Sequence, residues 1–147
     1  MSKVTNNQIQ QFRDTGTLFL RSGEPKTRLN FAVDKMVKKL KALHEKYVDD
    51  QADLRADHAA IDPDTKVILK GEDGHFQYTP ENEKKLRKEL RDLGNKLIEI
   101  EPHLVKEEEL PKSLSFKFEI DGKSYSKSDY DVRNEFEGFV IAPQTEE

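Results

Sequence analysis

The chain has 147 residues, of which 37% are charged and 34% hydrophobic, and its net charge is −4. It contains no cysteine, which excludes disulfides, thiolate metal sites and a cysteine nucleophile. The acidic balance makes nucleic acid an unlikely partner, and no apolar run approaches the about 18 residues that a membrane span needs. Because the N-terminus also lacks the apolar core of a secretion signal, we expect a cytoplasmic protein that does not enter a membrane.

The first predicted element is a short helix over residues 5–15. Thr5 is a suitable N-cap, Ile9 and Phe12 lie three residues apart on one face, and Gly16 is expected to end the helix. The apolar stretch that follows, "TLFL", is expected to be buried, and "SGEPKT" is expected to form a loop.

A long helix is predicted from about Glu24 to Ala60, with Pro25 in its first turn. At 1.5 Å per residue, this stretch forms a rod of about 54 Å. Apolar side chains recur along it at spacings of 4, 3, 4, 3 and 4, which is typical of a coiled-coil-like seam. The seam consists of Leu29, Val33, Met36, Leu40, Leu43 and Tyr47.

A β-hairpin is predicted over residues 66–79, around "GEDG", and it leads into a second helix. Thr79 caps this helix, Pro80 takes its first position, and Gly94 with Asn95 closes it. The second helix is basic, whereas the second half of the long helix is acidic. We therefore expect the two helices to lie antiparallel, with their opposite charges facing each other.

The C-terminal third is predicted to contain three elements. "KLIEIEPHLV" is a short strand or extended segment, "LSFKFEIDGKSYS" is a second β-hairpin, and residues 128–137 form a short helix capped by Ser128. The expected fold class is thus α+β, mainly α, in a single domain over 1–147. We divide it into a helical hairpin core over 5–105, a C-terminal hairpin and short helix over 112–141, and a tail over 142–147.

The seam of the long helix raises the question of what covers it. The second helix, at about 21 Å, is too short to cover the whole rod. The seam residues from Leu29 to Tyr47 are therefore expected to pack on the N-terminal helix, on the C-terminal hairpin, or on another subunit or target. They are the predicted binding interface. Near the start of the same helix, where the dipole favours negative charge, an anion-binding site is predicted at Lys26, Arg28 and Lys35.

No motif for an enzyme stands out. His44 and His58 lie about 21 Å apart on one helix, too far to share a metal. The aspartates at 49, 50, 53 and 57 are better explained as a solvent-exposed face, whose charge the basic helix balances, than as a catalytic or metal-binding cluster. Walker A, GxGxxG and G-x-S-x-G patterns are absent. We therefore expect no catalytic residue, no metal and no cofactor.

Four segments carry a resemblance to known proteins: "TNNQIQQF", "EPKTRLNFAVDKMVKKLKAL", "GHFQYTPENEKKLRKELRDL" and "LIEIEPHLV". Together they resemble a set of small, mainly helical, mostly uncharacterised proteins of tailed phages and prophages. The likeness covers residues 5–105, and the hairpin over 112–127 departs from it. It implies a viral origin, a location in the host cytoplasm and a non-enzymatic role.

The leading functional hypothesis is a phage-type interaction protein that binds another macromolecule, most simply a protein, and forms a homo-oligomer through its long helix. One alternative is an inhibitor of host antiviral defence, which blocks a defence protein or sequesters a nucleotide signal. Another is a virion assembly or accessory structural protein. A metal-dependent hydrolase that uses the aspartates at 49–57 is the enzymatic alternative.

Overall fold

The computed structural model describes residues 1–22 and 26–143. Within these residues the fold is mixed α+β and mainly α, as predicted, with five α-helices and two antiparallel sheets of two strands each. The chain divides into two compact units, one formed by residues 1–42 with 97–147 and the other by residues 43–96. The predicted helical core over 5–105 is thus shared between two units. No described helix is long and apolar enough to cross a membrane.

The first unit begins with strand β1 (Ser2–Thr5) and helix α1 (Asn6–Arg21). Thr5 caps α1 as predicted: its Oγ1 accepts the Gln8 backbone N–H at 3.1 Å, while Gln8 Oε1 accepts the Thr5 N–H at 2.8 Å. The prediction that Gly16 ends this helix is wrong, since α1 continues for five more residues and takes in the "TLFL" stretch. A Cβ at Gly16 would lie 3.0 Å from methyl groups of both Val33 and Val37. Gly16 is therefore the residue that lets α2 approach α1.

Gly16→Ala is expected to destabilise the protein by about 1 kcal/mol. Alanine gains about 1 kcal/mol in helix propensity over glycine, but overpacking a tight contact costs about 1–3 kcal/mol. Urea unfolding followed by circular dichroism measures the balance. The double variant Gly16→Ala with Val37→Ala removes one of the two close methyl contacts and should be less affected than expected from the two single changes. A stabilised Gly16→Ala protein would show that α2 yields easily at this contact.

The predicted long helix is interrupted once. Helix α2 covers Arg28–Lys39 and helix α3 covers Lys41–His58, with Leu40 as a turn residue between them. The Leu40 N–H still donates to the Met36 carbonyl at 2.9 Å, so the break is local. The predicted start at Glu24 and the first-turn role of Pro25 lie outside the described residues.

The core of the first unit lies between α1, α2 and the C-terminal segment. Phe12 stacks on Phe139 with ring centroids 4.4 Å apart and meets Phe136 edge-on at 5.4 Å. Phe19 meets Phe116 and Phe136 edge-on at 5.5 and 5.6 Å. These five phenylalanines join elements from both ends of the chain, and the burial of their large apolar side chains stabilises this unit.

Two small sheets complete the first unit. Strand β2 (Leu97–Ile100) pairs antiparallel with β1, a partner that the sequence analysis did not predict. Strands β3 (Phe116–Ile120) and β4 (Lys123–Lys127) form the predicted C-terminal hairpin, and Asp121 and Gly122 turn it with positive φ angles of 51° and 79°.

Helix α5 (Asp129–Phe136) follows, capped by Ser128 as predicted. The Leu114 N–H donates to Asp129 Oδ1 at 2.7 Å, and this bond, aided by Arg133, holds the pKa of Asp129 below its usual value. This contact fixes the segment that enters β3 against the start of α5. Residues 144–147 of the predicted tail lie outside the described residues.

The second unit contains most of α3, a small β-turn region and helix α4 (Pro80–Gly94). The predicted hairpin is present in miniature: Lys70 and Phe76 form an antiparallel bridge, and the Gln77 N–H donates to the Leu69 carbonyl at 3.0 Å. Thr79 caps α4 and Pro80 begins it, as predicted.

Among the described residues, no ion pair joins the acidic side chains of α3 to the basic side chains of α4, as had been predicted; the contact between His58 of α3 and Glu89 of α4 has the opposite arrangement of charge. In the described chain, the basic residues of α4 that form ion pairs do so within the helix, Lys85 with Glu81 and Arg87 with Glu83. The acidic side of α3 pairs locally as well, through Lys46 and Asp50 at 2.8 Å, which raises the pKa of Lys46. Residues four apart on a helix are always close, so local pairs form whatever the neighbouring helix carries.

Candidate functional site

The first half of the predicted interface is part of the core. Leu29, Val33 and Met36 are fully buried, and Leu40 is 1% exposed. Of the three kinds of partner expected for this stretch, the structure shows the N-terminal helix: α1, which is longer than expected, packs against α2. These side chains therefore stabilise the chain itself and are not an open surface for a second subunit or a target.

The second half of that interface lies in the other unit. Leu43 is half-buried and Tyr47 is 7% exposed. Neither side chain forms an open apolar patch. The exposed apolar side chains on these helices are instead Phe31, at 69% exposure, and Val48, at 49%.

The three predicted anion-binding residues are all exposed. The Arg28 guanidinium is already paired with Glu109, with Nε 3.1 Å from Oε1. The Thr27 N–H at the start of α2 donates to Asn30 Oδ1 at 2.8 Å, which satisfies one of the donors that an anion would use. An anion site at Lys26, Arg28 and Lys35 stays a prediction, and an anion there would compete with Glu109.

The residues considered for catalysis do not assemble either. His58 is paired with Glu89 of α4 through its Nε2, so it joins two helices of the second unit. Residues 1–22 and 26–143 contain no group of three acidic or histidine side chains arranged to hold a metal. The aspartates of α3 are spread along its length, and Asp50 is engaged by Lys46.

Two surface cavities, which were not predicted from the sequence, lie beside α1. Their volumes are about 400 and 760 Å³, and they share Leu18 as a wall residue. The smaller one lies toward the start of α1 and is lined mainly by residues of polar types. Its α1 wall carries Asn7, Gln10, Gln11 and Asp14. We call the two cavities together the α1 groove.

The larger cavity forms the apolar end of the α1 groove. Its walls come from the last turn of α1 and from β3, and Leu18, Phe118 and Ile120 supply the apolar surface. Ile120 is 47% exposed, and Phe118 is held in place by stacking on Tyr125, with ring centroids 5.6 Å apart. A rigid aromatic ring beside an exposed aliphatic side chain is a common anchor surface for a bound segment.

A charged pair lies at the floor of the polar end. Glu135 of α5 has a side chain only 6% exposed and pairs with Lys127 of β4. Glu135 Oε1 also accepts the Thr15 hydroxyl at 2.8 Å. Its other oxygen, Oε2, is buried and has no hydrogen-bond partner in the described structure. The three residues tie α1, β4 and α5 together where the groove walls meet.

One sequence signal for the groove exists. Asn7, Gln10, Gln11, Asp14 and Leu18 recur at spacings of 3 and 4, so they share one helical face opposite Ile9 and Phe12. The pattern shows that this face is amide-rich, but not that β3 and α5 form a wall beside it.

No protein-family model, no curated protein and no solved structure matches this chain.

Proposed function

We propose that this protein is a non-enzymatic binding protein that holds an extended segment of a partner protein in the α1 groove. The observation that carries the proposal is that a cavity with mainly polar walls and a cavity with apolar walls lie beside the same helix and share Leu18 as a wall residue. A polar half lined by amides beside an apolar half with aromatic and aliphatic walls suits a peptide, which offers both backbone groups and side chains.

The size of the groove supports this choice of ligand. From Asn7 to Arg21, α1 spans about 21 Å, which equals about six residues of extended chain. The amides of Asn7, Gln10 and Gln11 both donate and accept hydrogen bonds, as peptide groups require. Strand β3 has β4 as its one sheet partner in the described part of the chain, so its other edge offers backbone groups to an added strand.

Self-association through the α2 seam is not part of this proposal, because those side chains are buried within the chain. The resemblance to phage proteins suggests two kinds of partner, a host defence protein or a virion protein. Mass spectrometry of purified particles separates the two: a virion component is present in stoichiometric amounts, whereas an inhibitor of host defence is absent.

Ile120→Asp is the sharpest test of the groove. Ile120 is half-exposed, so the change should leave the fold intact, while a charge at an apolar anchor should weaken peptide binding by about tenfold or more. Peptides are selected from a random display library on the wild-type protein, and their affinities for wild type and variant are then compared by fluorescence anisotropy.

Phe31→Asp is the matched control, since Phe31 is 69% exposed on α2 and does not line the groove. The proposal expects this control to bind the selected peptides as wild type does, and amide resonances that shift on binding to lie along α1 and β3. Failure to enrich any peptide, or equal loss of affinity in both variants, would contradict the proposed function.

A further inference from the structure

The second unit contains a separate cavity of about 410 Å³ between the end of α3, the small β-turn region and α4. Three basic residues, Arg55, Lys70 and His75, line it together with Phe76 and Tyr78. Leu86 of α4 is 5% exposed and forms an apolar part of the wall. The volume lies toward the lower end of ligand pockets, which are roughly 300–1,000 Å³.

The basic groups of this cavity have no acidic partners in the described chain. The Arg55 guanidinium reaches only the Gln51 side-chain oxygen, at 3.4 Å. The Lys70 ammonium lies 5.5 Å from the centre of the Phe76 ring, and no carboxylate meets it. Three other basic residues of this unit, Lys46, Lys85 and Arg87, do pair with an acid four residues away.

The cavity therefore combines two features that one ligand would use together. Arg55 and Lys70 are cations without an acidic partner in the described chain, and such groups favour an anion; arginine and lysine donors suit a phosphate. The Phe76 and Tyr78 rings offer flat apolar faces on which a planar ring stacks. We propose that this pocket binds a nucleotide, with its phosphate held by Arg55, Lys70 and His75 and its base against the aromatic side chains.

Two sources supply this chemistry, a free nucleotide and a base of single-stranded nucleic acid. The protein's net charge of −4 favours the small ligand, because the whole surface does not attract a long polyanion. The site lies wholly within the second unit. It is thus independent of the α1 groove, and one proposal can fail without the other.

The test is a titration of the full-length protein with AMP and GMP, followed by amide NMR. Adenosine and inorganic phosphate are titrated alongside as the two halves of the ligand. We expect saturable shifts around the β-turn region and the start of α4, with each half binding more weakly than the whole. Lys70→Gln should weaken nucleotide binding about tenfold, the loss expected for one charged hydrogen bond.

Lys88→Gln is the matched control, because it removes the same charge from an exposed position of α4 outside the pocket. Its affinity should stay at the wild-type value. Absence of saturable binding at millimolar nucleotide, or equal weakening by Lys70→Gln and Lys88→Gln, would overturn the proposal. An eight-nucleotide single strand is titrated in the same way as a final comparison. If the strand binds at the same residues more tightly than AMP does, the result supports the proposed pocket. It also identifies single-stranded nucleic acid, and not a free nucleotide, as the ligand.

Discussion

Replacing Phe12 with alanine should lower the free energy of unfolding by about 3–5 kcal/mol, the range for removing a large buried aromatic side chain. Phe12 is fully buried and contacts Phe139 and Phe136 in stacked and edge-on geometries. Each such aromatic pair adds about 0.5–1.5 kcal/mol beyond the burial of area. The variant thus loses contacts between α1 and the C-terminal segment at once, and urea unfolding followed by circular dichroism measures the loss.

The control is Phe31→Ala, which removes the same side chain from an exposed position on α2. Surface substitutions of this kind change stability by about 0.5 kcal/mol or less. Phe12→Leu should fall between the two, since leucine keeps most of the apolar volume but not the ring contacts. If Phe12→Ala unfolded at the same urea concentration as Phe31→Ala, the aromatic cluster would not be the core of the first unit.

Lys127→Met should cost about 3 kcal/mol, at the lower end of the range for removing one partner of a buried ion pair. The reason is an asymmetry in burial: the Glu135 side chain is 6% exposed, whereas that of Lys127 is 27% exposed. Without Lys127, the carboxylate keeps only the Thr15 hydroxyl and stays in a poorly solvated place. Glu135→Leu should cost less, because the lysine can then turn toward water while leucine fills the buried position.

The double variant Lys127→Met with Glu135→Leu should recover most of the stability that Lys127→Met loses, since no buried charge is left unpaired. Lys123→Met is the control on the same strand, at an exposed position, and should unfold like the wild type. A double variant less stable than Lys127→Met would show that the ion pair contributes net stability. The attraction between Lys127 and Glu135 would then exceed the free-energy cost of burying their charges. The four variants and the wild type are compared by urea unfolding at pH 7.

The elements predicted correctly from the sequence depend on neighbouring residues. Thr5, Thr79 and Ser128 cap helices because an N-cap oxygen bonds a backbone N–H only two or three residues ahead. The C-terminal hairpin was predictable for the same reason. Alternating side chains and an Asp-Gly turn determine its register within about twelve residues.

The wrong predictions concern elements whose structure depends on contacts between residues that are far apart in the sequence. Glycine ends many helices, but Gly16 lies within α1 and leaves space for the methyl groups of Val33 and Val37. Strand β1 was missed because its partner, β2, is more than ninety residues away, and a four-residue segment is too short to show a clear strand pattern by itself. The seam of α2 shows the same limit, since the sequence left three possible partners open and only the structure shows that α1 packs against it.

The sequence by itself determined the helix caps, the C-terminal hairpin, the α+β class and the lack of cysteine chemistry, because each follows from composition or from contacts within a few residues. Only the tertiary structure decided which apolar face is buried and where the grooves lie. The Thr15 to Glu135 hydrogen bond joins residues 120 positions apart. Both the α1 groove and the pocket around Lys70 have walls from separate elements, and no local pattern encodes how such elements meet.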